Sequence, residues 1–99
     1  MTTRQEQIMV HLYGQLGLGD TYEMPFATTQ DGIAEAIGIT KRHVCVEMKR
    51  LERKGLVYHL IRHAYRKDGL NRRPRMCYKL NGSGVLAVQK LRKAMEVTA

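Results

Sequence analysis

The sequence predicts an α+β fold, mostly α, in which three helices precede a β-hairpin and a C-terminal helix follows it. Three observations support this prediction. Apolar residues recur at helical spacing in four segments, an alternating pattern flanks a turn signal before the last of them, and Gly or Thr stands at most boundaries. With 99 residues and 11.4 kDa, the chain fits one domain, so residues 1–99 are expected to form a single unit.

The first predicted helix covers residues 4–16 and places Ile8, Met9, Leu12 and Leu16 on one face. It is expected to end at the glycines that follow, namely Gly14, Gly17 and Gly19. Residues 20–27, which include Pro25, are expected to form a loop or a short extended stretch.

The next two helices are predicted from their caps. Thr28 or Thr29 can cap the second helix, and Gly38 suits its left-handed carboxyl end. Thr40 is a plausible cap for a third helix at residues 41–54, which Gly55 closes. A helix, a three-residue turn with Gly and a second helix are typical of a helix-turn-helix, placed here at about residues 29–54.

A β-hairpin is predicted at about residues 56–80. Residues 56–65 are rich in Val, Tyr, Leu and Ile, and Lys67-Asp68-Gly69-Leu70 is a turn signal. Pro74 stands where the return strand begins, and Met76, Tyr78 and Leu80 then alternate with Cys77 and Lys79 as in a half-buried strand. The C-terminal helix is expected at about residues 82–96, with Val85, Val88, Leu91 and Met95 on one face.

Charge is distributed unevenly along the chain. The net charge is +8, with an isoelectric point near 9.9. Residues 1–40 hold one base and five acids, residues 41–79 hold thirteen bases and three acids, and residues 80–99 hold three bases and one acid. A strongly basic middle indicates a surface that binds a polyanion. A membrane surface fits less well, because the chain has no Trp and one Phe.

The third helix provides the first candidate binding residues. At 100° per residue, Val44, Met48 and Leu51 face the core, and a basic stripe with one small apolar residue lies opposite. Arg and Lys can contact phosphates or guanine edges, and a small apolar side chain can contact a thymine methyl. A solvated charged face is the alternative interpretation. The predicted DNA contacts of this recognition helix are Lys41, Arg42, His43, Val46, Lys49, Arg50 and Arg53.

The hairpin provides a second basic group, because five bases surround its turn. They predict a contact with the phosphate backbone or the minor groove, and the alternative is a charged loop that prevents edge-to-edge pairing. The residues concerned are Arg66, Lys67, Arg72, Arg73 and Arg75.

Other chemistry is weakly indicated. Cys45 and Cys77 are expected to be free thiols, and Cys45 beside the basic stripe is a less favoured thiol switch. With His43, His59 and His63 the two cysteines could form a metal site, but no CxxC or helical HxxxH supports one. No catalytic set or phosphate-binding glycine loop is seen, so neither an enzyme nor a cofactor is expected. The absence of a secretory signal and a membrane span predicts a cytoplasmic protein.

Three stretches resemble a known family. Residues 29–40 look like the second helix and turn of winged helix-turn-helix regulators. Val44, Met48 and Leu51, followed by Gly55-Leu56-Val57, match the "V…L…L…GLV" frame that comes next. Residues 72–84 are similar to the "RR…Y-x-L-T-x-x-G" exit of the wing in MarR-like and related archaeal winged-helix domains, with Asn81 where Thr is usual. The resemblance covers roughly residues 4–93, and the order of the motifs is more specific than any one of them.

The resemblance implies three helices, a two- or three-stranded sheet and a wing. It also implies sequence-specific binding of double-stranded DNA, transcriptional regulation and a homodimer. The chain lacks the longer flanking helices of MarR dimers, which leaves dimerisation to residues 4–16 and 82–96. Three alternatives are a winged-helix module for protein or RNA, a sequence-independent architectural DNA binder, and a metal-sensing regulator.

Overall fold

A computed structural model describes residues 3–17, 23–65 and 73–98 of the chain. Their elements follow in the order α1 (Arg4–Tyr13), β1 (Glu23–Pro25), a 3-10 turn (Phe26–Thr28), α2 (Gln30–Ile37), α3 (Lys41–Arg53), β2 (Val57–Tyr65), β3 (Arg73–Leu80) and α4 (Gly82–Thr98). This order confirms the predicted fold class, with four helices and a hairpin between the third and the fourth. None of the helices within the described residues is long and apolar enough to cross a bilayer.

The caps of the helix-turn-helix are those that the sequence predicts. The hydroxyl of Thr29, not Thr28, accepts a hydrogen bond from the backbone of Gly32 at the start of α2. Gly38 ends this helix with a φ of 78°, a conformation that costs glycine little. The hydroxyl of Thr40 then accepts a hydrogen bond from the backbone of His43, which starts α3. The turn is therefore specified by local side-chain chemistry.

The main core lies where α1, α2, α3 and α4 meet one face of the sheet. Its buried members come from every helix and from both strands of the hairpin: Ile8, Met9, Leu12, Ile33, Val44, Met48, Leu51, Val57, Tyr78, Leu80 and Val88. Asn81 joins this core to α4, because its side-chain oxygen accepts a hydrogen bond from the backbone of Gly84. Asn81 thus performs the capping role expected of the Thr that it replaces.

A third strand completes the sheet, in the order β1-β2-β3. β2 and β3 are antiparallel, with Val57 opposite Leu80 and Ala64 opposite Arg73. β1 pairs in parallel with the end of β2, from Glu23 opposite His63 onward. The sequence predicted only a loop or short extended stretch here, because the pairing joins residues 40 positions apart.

The predicted alternation in β3 is wrong at two positions. Cys77 was expected on the open face, but it is buried in a second small cluster with Met24 and Ala64. Met76 was expected on the buried face, but 40% of it is exposed. β1 supplies Met24 to cover the second face around Cys77, whereas Met76 lies outside both core clusters.

The two terminal helices differ in length from their predictions. α1 ends at Tyr13, three residues early, because Gln15 and Leu16 donate to carbonyls three residues back instead of four, and Gly17 then takes a left-handed φ of 79°. α4 extends to Thr98, and only Val88 of its predicted apolar face is buried completely. Val85 and Leu91 are half-buried, and Met95 is half exposed.

Candidate nucleic-acid interface

Helix α3 has one buried face and one exposed face. Val44, Met48 and Leu51 are buried in the main core, which orients the helix. All seven residues predicted as contacts on this helix are exposed: Lys41, Arg42, His43, Val46, Lys49, Arg50 and Arg53. Five of them are Lys or Arg, and Val46, which is 43% exposed, lies among them. The structure therefore leaves all seven side chains open to solvent, five of them with a positive charge.

Several of these charges have no compensating carboxylate. Arg50 pairs with Glu47 one turn earlier, at 3.0 Å, and Lys41 lies 3.6 Å from Asp31. Within residues 3–17, 23–65 and 73–98, no ion pair involves Arg42, Lys49 or Arg53. Uncompensated positive charge on one helix face attracts a polyanion.

The hairpin predictions have different outcomes. Arg66, Lys67 and Arg72 lie outside the described residues. Arg73 is exposed at the start of β3. Arg75 was predicted on the basic surface of the hairpin, but its side chain is only 12% exposed.

Arg75 is held inside the molecule by two contacts. Its Nη1 lies 3.3 Å from Oδ2 of Asp31, and its guanidinium lies 5.6 Å from the ring centre of Phe26. The two partners come from the start of α2 and the turn before it, so the contact joins the hairpin to the helix-turn-helix. Arg75 therefore links the hairpin to the helix-turn-helix inside the molecule, and its charge is largely shielded from solvent.

Asp31 was not recognised as a site residue from the sequence, where it is only an acid in the first turn of α2. Its two carboxylate oxygens reach Lys41 on α3 and Arg75 on β3. Its sequence position, in the first turn of α2, is explained equally well by the helix dipole, so it carried no signal of an ion pair with Arg75. Its carboxylate lines a cleft of about 260 Å³ between the helix-turn-helix and the hairpin.

Two further contacts connect the helices of the site to the sheet. His59 on β2 lies with its Nδ1 2.8 Å from Oε1 of Glu52, near the end of α3. Gln30 on α2 donates a hydrogen bond of 2.9 Å to the hydroxyl of Tyr78 on β3. Burial raises the pKa of Tyr78, so the hydroxyl keeps its proton.

The histidines and cysteines do not assemble in the described part of the chain. Among those residues, no three His, Cys, Asp or Glu side chains are placed to hold a metal ion. Cys45 is half-buried and Cys77 is buried, and both are free thiols, as expected.

The two thiols are expected to differ in reactivity. Burial raises the pKa of Cys77, despite opposing effects of a hydrogen bond with Thr28 and of the charges on Arg62 and Arg75. A raised pKa means less of the reactive thiolate at any given pH. Iodoacetamide at neutral pH should label Cys45 in the folded protein, and Cys77 only after unfolding in urea, as counted by mass spectrometry. Equal labelling of both cysteines in the folded protein would contradict this.

No family model matches the sequence, and no curated protein matches it. Solved structures match the fold throughout. The complex of MepR with DNA, from Staphylococcus aureus, superposes with a TM-score of 0.66 at 25% identity, covering 99% of this chain and 67% of that one. A second structure of MepR, described as a transcription regulator of the multidrug efflux pump MepA, gives a TM-score of 0.67 at 26% identity, covering 99% of this chain and 62% of that one. MepR bound to ethidium bromide gives 0.62 at 27% identity, covering 99% and 61%.

These similarities define the class of the protein. The chain has a winged helix-turn-helix fold, and its hairpin is the wing. Its structural neighbours are MepR, a winged-helix transcription regulator of the MarR family, which confirms the resemblance inferred from the sequence motifs. The chain spans about two thirds of the length of these neighbours.

Proposed function

We propose that this chain is a transcriptional regulator that binds a specific sequence of double-stranded DNA. In this proposal α3 enters the major groove, and the wing lies on the backbone or in the minor groove. Residues 1–99 act as one winged-helix domain whose role is binding, without catalysis or a cofactor. We also propose that it is a cytoplasmic protein.

The exposed basic face of α3 is the observation that supports this proposal most directly. Its position is set by three buried residues on the opposite face and by the cap at Thr40, so the charges are presented on a rigid helix. A rigid helix of this kind fits the width of the major groove. The structural neighbours include a MepR–DNA complex, which supports the same use of the fold.

The residues of α3 supply different parts of the proposed contact. The long cations can reach phosphates or guanine acceptors, and the exposed Val46 can meet a thymine methyl. We propose Lys41, Arg42, His43, Val46, Lys49, Arg50 and Arg53 as the contacts of this helix. On the wing we propose Arg66, Lys67, Arg72 and Arg73 as contacts, and we assign Arg75 to holding the wing in place.

Selection from a random duplex library at near-physiological salt, followed by sequencing, tests the function. We expect an enriched inverted repeat with half-sites about one helical turn apart. Retention of DNA without any enriched motif would favour the architectural alternative. If no duplex is retained, the proposal is wrong and the basic face serves an RNA or protein partner.

The proposed contact of Arg73 with a phosphate predicts a particular salt dependence. Arg73→Ala should weaken binding to all duplexes alike and lower the slope of log affinity against log salt by about one unit. Arg72→Ala should do the same. Lys79→Ala on β3 removes the same charge outside the proposed DNA contacts and the proposed dimer segments, and it should leave the slope unchanged. A sequence-dependent loss for Arg73→Ala would instead indicate that Arg73 contacts a base.

We also propose that two copies associate through residues 4–16 and 82–96. α1 and α4 pack against each other, and Leu86 on α4 is 59% exposed. Sedimentation at tens of micromolar protein should show a dimer, and Leu86→Glu should convert it to a monomer because a charge would enter an apolar contact. Ile61→Glu on β2, where Ile61 is 62% exposed, adds the same charge outside these two segments as a control. A wild-type protein that sediments only as a monomer would contradict dimerisation.

A further inference from the structure

We infer that the cleft between the helix-turn-helix and the wing receives one phosphate of the DNA backbone, and that Asp31 is the positioning residue of this site. The inference rests on the proposed function, and it adds a place on the molecule and an acidic residue that promotes DNA binding.

The cleft lies where three elements converge. Gln30 and Asp31 come from the start of α2, Lys41 is the first residue of α3, and Arg73 and Arg75 come from the start of β3. Its volume of about 260 Å³ compares with about 30 Å³ for a water molecule in the liquid. A phosphate group fits there together with part of its water shell.

Charge in the cleft favours an anion. Three cations, Lys41, Arg73 and Arg75, line it against the single carboxylate of Asp31. Lys41 is 59% exposed and Arg73 is exposed, so both can reach a phosphate from opposite sides of the cleft. Arg75 is too deeply buried for that contact.

The position of Lys41 is a second reason to expect an anion in the cleft. A cation in the first turn of a helix opposes the helix dipole, which favours negative charge there. The first turn of α3 nevertheless holds no acid. A phosphate beside Lys41 would interact favourably with both the lysine and the start of the helix.

Asp31 holds the two sides of the cleft together. Its Oδ1 lies 3.6 Å from Nζ of Lys41, and its Oδ2 lies 3.3 Å from Nη1 of Arg75. In the described residues, Nε of Arg75 is buried without a hydrogen-bond partner, so the guanidinium relies on Asp31 for its ionic contact. Loss of the carboxylate would leave a buried cation unpaired and would remove the ion pair that joins α2 to the start of β3, which carries Arg73.

Because of this role, removing the charge of Asp31 should weaken DNA binding, whereas simple electrostatics predicts stronger binding. Neutralising a carboxylate near DNA normally strengthens binding, because it removes repulsion from the phosphates. We expect Asp31→Asn to weaken binding roughly tenfold, as for the loss of a charge-assisted contact. Glu35→Gln, four residues along the same helix and outside the cleft, should leave affinity unchanged or slightly higher. Asp31→Glu should recover most of the affinity.

The test uses the full chain and a fluorescent duplex enriched by selection; if none is enriched, the affinities of the variants are compared on a random-sequence duplex. The enriched duplex is also made with one neutral methylphosphonate at each successive position. Among the positions that weaken binding of the wild type, one in each half-site should have no effect on Asp31→Asn, because the variant has already lost that contact. Lys41→Gln, which keeps the pair of Asp31 with Arg75, should lose its sensitivity at the same position. The Lys41→Gln variant provides the test if circular dichroism shows that Asp31→Asn does not fold.

Two results would overturn the inference while leaving the proposed function intact. One is binding of Asp31→Asn as tight as that of Glu35→Gln. The other is a methylphosphonate profile that keeps every sensitive position in the Asp31→Asn or Lys41→Gln variant. A wild-type chain that binds no duplex would overturn both the inference and the proposed function.

Discussion

Replacing Arg42 and Lys49 together by alanine is expected to weaken binding to the selected duplex by at least roughly thirtyfold. Each contact is expected to contribute about 1–3 kcal/mol if it reaches a base edge, and about 1.4 kcal/mol corresponds to a tenfold change in affinity. Both side chains are exposed on α3, and no ion pair engages either of them within the described residues. The fold should therefore tolerate the double substitution, and the melting temperature should stay close to that of the wild type.

Fluorescence anisotropy with the selected duplex and with a scrambled duplex measures this effect. A loss confined to the selected duplex means that at least one of the two side chains contacts a base. An equal loss on both duplexes means that they contact only phosphates. Lys54→Ala with Lys79→Ala removes the same charge at positions outside the proposed DNA contacts and the proposed dimer segments, and it should have a much smaller effect. Unchanged affinity in the Arg42 and Lys49 variant would contradict the placement of α3 in the groove.

Gly32→Ala is expected to destabilise the fold by about 3 kcal/mol, a typical cost of overpacking a tight site. Alanine is normally favoured over glycine in a helix by about 1 kcal/mol, so propensity predicts the opposite sign. Gly32 lies on the buried side of α2, and a Cβ there would collide with the backbone of Phe26, including its carbonyl group. The preceding turn would have to move away, together with the Phe26 ring under Arg75.

Urea unfolding followed by circular dichroism gives the free energy of unfolding. Gly82→Ala is the matched control, because no atom from outside its own stretch of α4 lies within 4 Å of its added Cβ. This control should be neutral or slightly stabilising at the start of α4. If Gly32→Ala were as stable as the wild type, the close approach of α2 to the turn before it would be wrong.

The helix-turn-helix was predictable from the sequence because its stabilising contacts are local. The cap at Thr29, the left-handed Gly38 and the cap at Thr40 all act over three or four residues. The buried face of α3 follows from helical spacing alone. Signals of this range are visible in a sequence because the interacting residues are neighbours along the chain.

The failures have a different cause. Cys77 was assigned to the open face because the alternation within β3 says nothing about β1, which lies on the far side of β2 in the sheet. Its burial depends on Met24, which lies 53 positions earlier in the chain. Arg75 was assigned to the open surface because five bases surround the turn, and its pairing with Asp31 spans 44 positions.

The sequence by itself determined the helices, their caps, the hairpin and the surface charge of the recognition helix, because each depends on short-range periodicity or composition. Tertiary structure decided which basic residues stay open and which are held inside. Lys41 and Arg75 both pair with the carboxylate of Asp31, but the side chain of Lys41 is exposed and that of Arg75 is largely buried. The physical reason is that burial and ion pairing depend on contacts between segments that are distant in the sequence, and local sequence patterns do not specify those contacts.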